Sequence, residues 1–275
     1  MIYHGTNARY LDRILREGLL PTSSTGASNW EHIPSKPDCV YLSRAYALYY
    51  ANADRDEDSN VALIQLDESK LDPEKLLPDE DFIVEIFNEA RHLGETIPDE
   101  FSNFTEIEDL TNAIDPRRFR RLTKQCLLYY GNLTYEGPIS SEAITRHVIV
   151  PFDKEHQLVY FLAGDAFTTA MNYHFMGSFY KDLCDATIEG HIHPLATISV
   201  KDYLRLPTLY IVTRNGTRER IDGLQRERLR ERKGIVVRDV EADPARIALY
   251  YANIRGWNRM AKKLLEESSG NSKNT

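Results

Sequence analysis

Met1-Ile2-Tyr3-His4-Gly5-Thr6 reads as a short apolar strand ending in a histidine and a glycine, and the segment after it is tightly constrained. Asn7 can cap a helix, because its short side chain accepts a hydrogen bond from a free backbone N–H. Leu11, Ile14, Leu15 and Leu19 recur at helical spacing and make one buried face. Gly18 suits the left-handed residue that ends many helices, and Pro21 stops the helix from resuming. After a polar loop to Pro37, Cys39-Val40-Tyr41-Leu42-Ser43 is a second strand. A helix from about Arg44 then carries Tyr46, Tyr49 and Tyr50. The order is strand, helix, long loop, strand, helix, with a histidine closing one strand and a tyrosine inside the other.

Val61-Ala62-Leu63-Ile64-Gln65-Leu66 is a nearly continuous apolar run, short and β-prone, and reads as a buried strand. Residues 71–82 come next as a shaped loop, since Pro73 and Pro78 exclude interior strand or helix positions. A strand that delivers this loop can aim Asp79 or Asp81 into a cleft. The same run also suits a solvated loop leading into a helix from Phe82, where acids face the helix dipole. Residues 82–93, 106–113 and 116–130 read as helices, and Leu133 to Tyr135 as a strand, with Glu136 at its end. Residues 151–275 read as a mostly helical extension on a core of residues 1–150, with a strand at 209–213 and a long helix at 243–267.

Charge is distributed unevenly around the net −8. Residues 79–109 carry eleven acids against the single Arg91, so the helical insertion at 82–130 is acidic in its first half. Residues 116–124 hold Arg117, Arg118, Arg120, Arg121 and Lys124 without an acid, and residues 214–238 hold nine basic residues against four acids. Such runs are usually solvated faces, but two of them can also form a patch for a phosphate-rich partner, RNA or DNA. The three scattered cysteines (Cys39, Cys126, Cys184) argue for a reducing compartment, hence a cytoplasmic protein, and against a disulfide framework or zinc site. His191-Ile192-His193 puts two imidazoles on one strand face but lacks a third ligand nearby, so no metal is expected. No apolar run is long enough to cross a bilayer, and none of the N-terminal residues has a signal layout.

His4-Gly5-Thr6, the helix end Gly18-Leu19-Leu20-Pro21, and Val40-Tyr41-Leu42-Ser43 before a tyrosine-bearing helix resemble the ADP-ribosyltransferases. The likeness is to the His-Tyr-Glu branch, which includes diphtheria toxin, the poly(ADP-ribose) polymerases and the rifampin ADP-ribosyltransferases. It implies an α+β fold with split antiparallel β-sheets, helical insertions and a C-terminal helical extension. It also implies NAD as a consumed substrate rather than a resident cofactor, and no Rossmann glycine fingerprint is present. By the resemblance, His4, Gly5 and Thr6 bind NAD, Tyr41 stacks on nicotinamide beside Ser43, and Tyr49 or Tyr50 closes the stack.

The branch carries its catalytic glutamate on a late strand, a few residues before the position of Tyr135, but Gly131-Asn132 stands there in this chain. Glu136, Asp79 and Asp81 are the candidates for that third role, the last two because rifampin-modifying members place an Asp in an acidic, proline-containing loop after a strand. The implied activity is mono-ADP-ribosyl transfer to a macromolecule, nucleic acid or protein. Bacterial members of this kind act as toxins or phage-defence effectors, which would imply a neutralising or regulatory protein partner. Two alternatives stay open: an RNA 2′-phosphotransferase, whose arginine-rich second motif is missing, and a catalytically silent NAD-fold binding module.

Overall fold

The computed structural model describes residues 1–26, 34–44, 46–53, 60–150, 184–185, 187–189, 208–212, 218–220, 239–241 and 244–271. The fold is α+β. Six strands, β1 (Ile2–Asn7), β2 (Cys39–Ser43), β3 (Val61–Leu66), β4 (Leu76–Leu77), β5 (Asn132–Glu136) and β6 (Ile144–Val150), form an antiparallel sheet in the order β4-β5-β2-β1-β3-β6. Its middle is thin. β1 pairs with β3 from Ile2 opposite Leu66 to Asn7 opposite Val61, and β2 pairs with β5 from Cys39 opposite Glu136 to Ser43 opposite Asn132. β1 and β2, by contrast, share the single register pair Tyr3 and Ser43. The sheet is therefore two three-stranded leaves joined at one point.

The helices obey their sequence signals with shifts that have local causes. β1 runs on through Asn7, whose Oδ1 accepts from the Arg9 N–H at 3.0 Å, so a 3-10 turn precedes α1 (Leu11–Glu17). Gly18 ends α1 at φ 85°, where a side chain would be strained, and an added Cβ would stand 2.1 Å from the Ile139 carbonyl oxygen. Leu19 and Ile139 exchange two backbone hydrogen bonds of 2.9 Å there. α2 (Thr22–Thr25) comes next, then α3 (Ala47–Ala53) after β2. α3 lies so close to β1 that a Cβ on Gly5 would meet the Ala47 carbonyl oxygen at 1.6 Å. Only glycine fits this crossing.

One 3-10 turn (Pro73–Lys75) and the edge strand β4 occupy the segment read as a loop at 71–82, so its prolines flank a strand of two residues instead of interrupting one. α4 (Glu80–His92) begins two residues before Phe82, with Asp79 as its cap. α5 (Asp99–Ser102) and α6 (Ile107–Ala113) succeed it. The helix expected over 116–130 is instead a 3-10 segment Pro116–Leu122, kinked at Phe119, followed by α7 (Thr123–Tyr129).

One large core fills the face of the sheet made by Ile2, Val40, Leu42, Ala62, Ile64 and Leu66. Phe82, Ile83, Ile86 and Phe87 of α4 enter that core, so the acidic insertion is a structural layer with a buried apolar side. α8 (Pro244–Asn271) adds Ile254, Trp257, Ala261, Leu264 and Leu265 to it, which ties the C-terminal segment to the N-terminal sheet. On the opposite face Tyr3, Val61 and Leu63 pack with Ala47, Leu48 and Ala51 of α3 and with Cys184 and Ile188. A second sheet of three strands, β7 (Thr208–Val212), β8 (Arg218–Arg220) and β9 (Asp239–Glu241), runs in the order β8-β7-β9. His191, His193 and most of the basic run at 214–238 lie outside the described residues. Among the described residues no helix is long and apolar enough to cross a membrane.

Candidate functional site

Where β1 and β2 part, the sheet opens into a cavity of about 470 Å³. His4, Gly5, Thr6, Tyr41, Ser43, Tyr50, Asp79 and Asp81 all stand at its wall. The side chain of Tyr49 lies outside the described residues. Glu80, not foreseen as a site residue, stands with them, and Tyr10 and Arg13 line the side toward α1. Arg13 is the one Lys or Arg among the described lining residues.

His4 bridges the two leaves. Its Nδ1 lies 2.9 Å from the Tyr41 carbonyl oxygen, and a carbonyl can only accept, so Nδ1 carries the proton. Burial holds the imidazole pKa below its usual range, against the opposing pull of that hydrogen bond. A neutral ring protonated at Nδ1 leaves Nε2 as an acceptor, suited to a hydroxyl. Ser43 acts below it as structure: its hydroxyl donates to the Gly131 carbonyl at 3.3 Å and accepts the Tyr46 N–H at 2.8 Å. Tyr50 is fixed from β5, where Asn132 Nδ2 donates to its hydroxyl at 2.8 Å.

Tyr41 is held at its far end. Its hydroxyl accepts the Lys36 N–H at 2.8 Å and donates to Glu80 Oε1. Lys36 is itself anchored, its Nζ donating to the Thr111 and Asn112 carbonyls, each at 3.0 Å, near the end of α6. Burial and the neighbouring Glu80 charge push the Tyr41 pKa well up, so the phenol remains a donor. The Cys39 thiol, also at the cavity wall, is pushed up to about 12 by burial, which removes it as a nucleophile near neutral pH.

The acids cluster at the start of α4. Asp79 is 2 % exposed, and its Oδ1 accepts the Asp81 N–H at 3.0 Å as the helix cap. Glu80 is 3 % exposed, and its Oε2 is buried without a hydrogen-bond partner. Leaving such an atom unsatisfied costs about 1–3 kcal/mol. Burial raises all three carboxyl pKa values, Asp81 to about 7, with Glu80 adding repulsion at Asp79 and Asp81. Beneath the run, the Phe82 ring lies 5.4 Å from Trp257 and 6.0 Å from Tyr130.

Glu136 is not brought to the cavity. It sits at the end of β5, where Arg117 Nε reaches its Oε1 at 2.6 Å and Arg120 its Oε2 at 3.7 Å. Nor does the arginine run at 116–124 offer a free basic patch: Arg117 also meets Asp38 and Asp115, Arg118 meets Glu100, Arg120 meets Glu74, and Arg121 meets Glu267. A signal for Glu80 exists in the sequence. Once Asp79 is recognised as the cap of the helix through Ile83, Ile86 and Phe87, its carboxylate is committed to backbone, and the next acid is left to face elsewhere. Lys36 carries no comparable signal, because its partners lie on α6.

Among the described residues no group of three or more His, Cys, Asp or Glu side chains is arranged to hold a metal ion. No family model matches this chain, and no curated protein and no solved structure matches it either.

Proposed function

We propose that this chain is a NAD-consuming mono-ADP-ribosyltransferase that passes ADP-ribose to a macromolecular acceptor, protein or nucleic acid. The observation that supports it best is the cavity at the parting of the two leaves, with a neutral His4 tied to the Tyr41 backbone and the Tyr41 hydroxyl tied to a buried acid. His4 Nε2 would accept a hydroxyl of the adenosine ribose. The rings of Tyr41 and Tyr50 would clamp nicotinamide and exclude water, holding the reacting bond in one orientation. A cationic pyridinium ring suits the acidic end of the cavity, and the diphosphate suits the end with Arg13.

In the reaction the bond between ribose C1′ and the pyridinium nitrogen breaks, and its electron pair leaves with neutral nicotinamide. C1′ shares the resulting positive charge with the ring oxygen. An O–H or N–H of the acceptor then bonds to C1′ and releases a proton. Fixed negative charge beside C1′ lowers the barrier because it needs no rearrangement when the charge develops. A silent NAD-binding module is the second reading, favoured by Gly131-Asn132 standing where the family's strand would carry its acid.

The test is to incubate the protein with NAD labelled in the adenylate moiety and a cell extract, beside His4→Ala and Tyr41→Ala. Label on a macromolecule that requires both residues supports transfer, and nuclease or protease sensitivity identifies the acceptor class. NAD binding without nicotinamide release supports the silent module. Absence of both binding and release overturns the NAD reading.

A further inference from the structure

We infer that Glu80, at the first residue of α4, is the catalytic carboxylate of this site, so that the acid comes from a helix start instead of the late strand β5. The inference rests on the NAD reading of the cavity.

The candidate acids differ in how far each is already committed. Asp79 Oδ1 accepts the Asp81 N–H, as the cap of a helix of thirteen residues. Glu136 is held outside by two arginines. Glu80 is nearly wholly buried at the cavity wall, engaged through Oε1 only, while Oε2 has no donor. Buried carboxylate oxygens in folded proteins are almost always satisfied, so an orphan on a side chain that lines a cavity marks where a ligand donor belongs.

The partner on Oε1 decides which donor. Glu80 is bonded to the hydroxyl of Tyr41, so a ring lying on Tyr41 brings its attached ribose beside Oε2. That oxygen accepts the ribose 2′-OH and places negative charge next to C1′ as the bond to nicotinamide breaks. The carboxylate is neither consumed nor covalently modified. Tyr41 positions it, and the Lys36 N–H positions Tyr41. On β5, Asn132 serves Tyr50 instead.

Glu80→Gln tests the assignment, because the amide keeps the size and still accepts from the Tyr41 hydroxyl. Three quantities are read: the Kd for NAD by titration calorimetry, the rate of nicotinamide release, and the thermal midpoint. The expected result is binding within about threefold of wild type with release lowered about 100-fold or more, the size seen when a preorganised charge-stabilising group is lost. Glu80→Asp, which keeps the charge but withdraws it by one methylene, should bind NAD equally and release nicotinamide at least about tenfold more slowly. Asp81→Asn should lose less release than Glu80→Gln. Near-normal release by Glu80→Gln, or a larger loss in Asp81→Asn, overturns the role of Glu80 and leaves the transferase reading standing. A wild-type protein that neither binds NAD nor releases nicotinamide removes both.

Discussion

Two charged runs of this chain, Asp79-Glu80-Asp81 and Arg117 to Arg121, look equally solvent-bound as text and meet opposite fates in the fold. The arginines stay at the surface, and each finds carboxylates from other parts of the chain: Glu136 and Asp38, Glu100, Glu74, and Glu267. The acids are carried inward by the apolar face of α4 and find one tyrosine hydroxyl and a helix cap, while Glu80 Oε2 stays buried without a partner. Charge that folding satisfies is structure. Charge that folding buries and leaves short of a partner is where a ligand can act.

The contrast depends first on what carries the acids inward. Phe82 anchors the start of α4 against Trp257 and Tyr130, so Phe82→Ala should cost about 3–5 kcal/mol. Urea unfolding would measure this, and a loss below about 1 kcal/mol would mean that the aromatic cluster does not hold the acidic end in place.

A second, smaller effect is pH-dependent. Asp81 has its pKa raised from 3.8 to about 7 by burial and by the Glu80 charge. Between those values the unfolded chain has released the proton that the native state keeps, so native stability falls as pH rises from about 4 to 7 and is level above. Asp81→Asn should remove that slope, leaving stability unchanged near pH 4 and raising it at pH 8 by about 2 kcal/mol. The full shift is not expected in free energy, since water reaches part of the side chain. Chemical denaturation at pH 5 and pH 8 checks it; parallel losses for wild type and variant would show that Asp81 is not the strained group.

The arginine side should be quiet by comparison. Glu136→Ala removes one partner from two half-exposed arginines that have others, so the change should stay within about 1 kcal/mol and nicotinamide release should stay near wild type. A strong loss of release would move the catalytic acid back to β5.

The strands that carry much of the site's wall were legible from local rules, and the resemblance singled out the residues on them. His4, Gly5 and Thr6 lie within one strand, Tyr41 and Ser43 lie in the next, and both strands border the cavity. The helix end at Gly18 was equally legible, because a positive φ is a property of one residue and its neighbours. Asp79 could be read as a cap for the same reason. Glu80 was passed over because a carboxylate in an acidic run reads as solvated unless one knows which side of the helix the core claims.

What residues a few positions apart impose on each other, the sequence determined: the longer strand-forming runs, the caps, the glycine turns and the apolar face of α4. Only the tertiary structure decided that β1 and β2 touch at a single pair and then part, that α8 completes the core beneath α4, and that Arg121 pairs with Glu267 from 146 residues away. It also decided that the Lys36 N–H and Glu80 meet at one tyrosine hydroxyl. The reason is physical. Backbone dihedral preferences and side-chain periodicity act over one or two turns, whereas the pairing of a charge depends on which distant surface the packed chain sets against it.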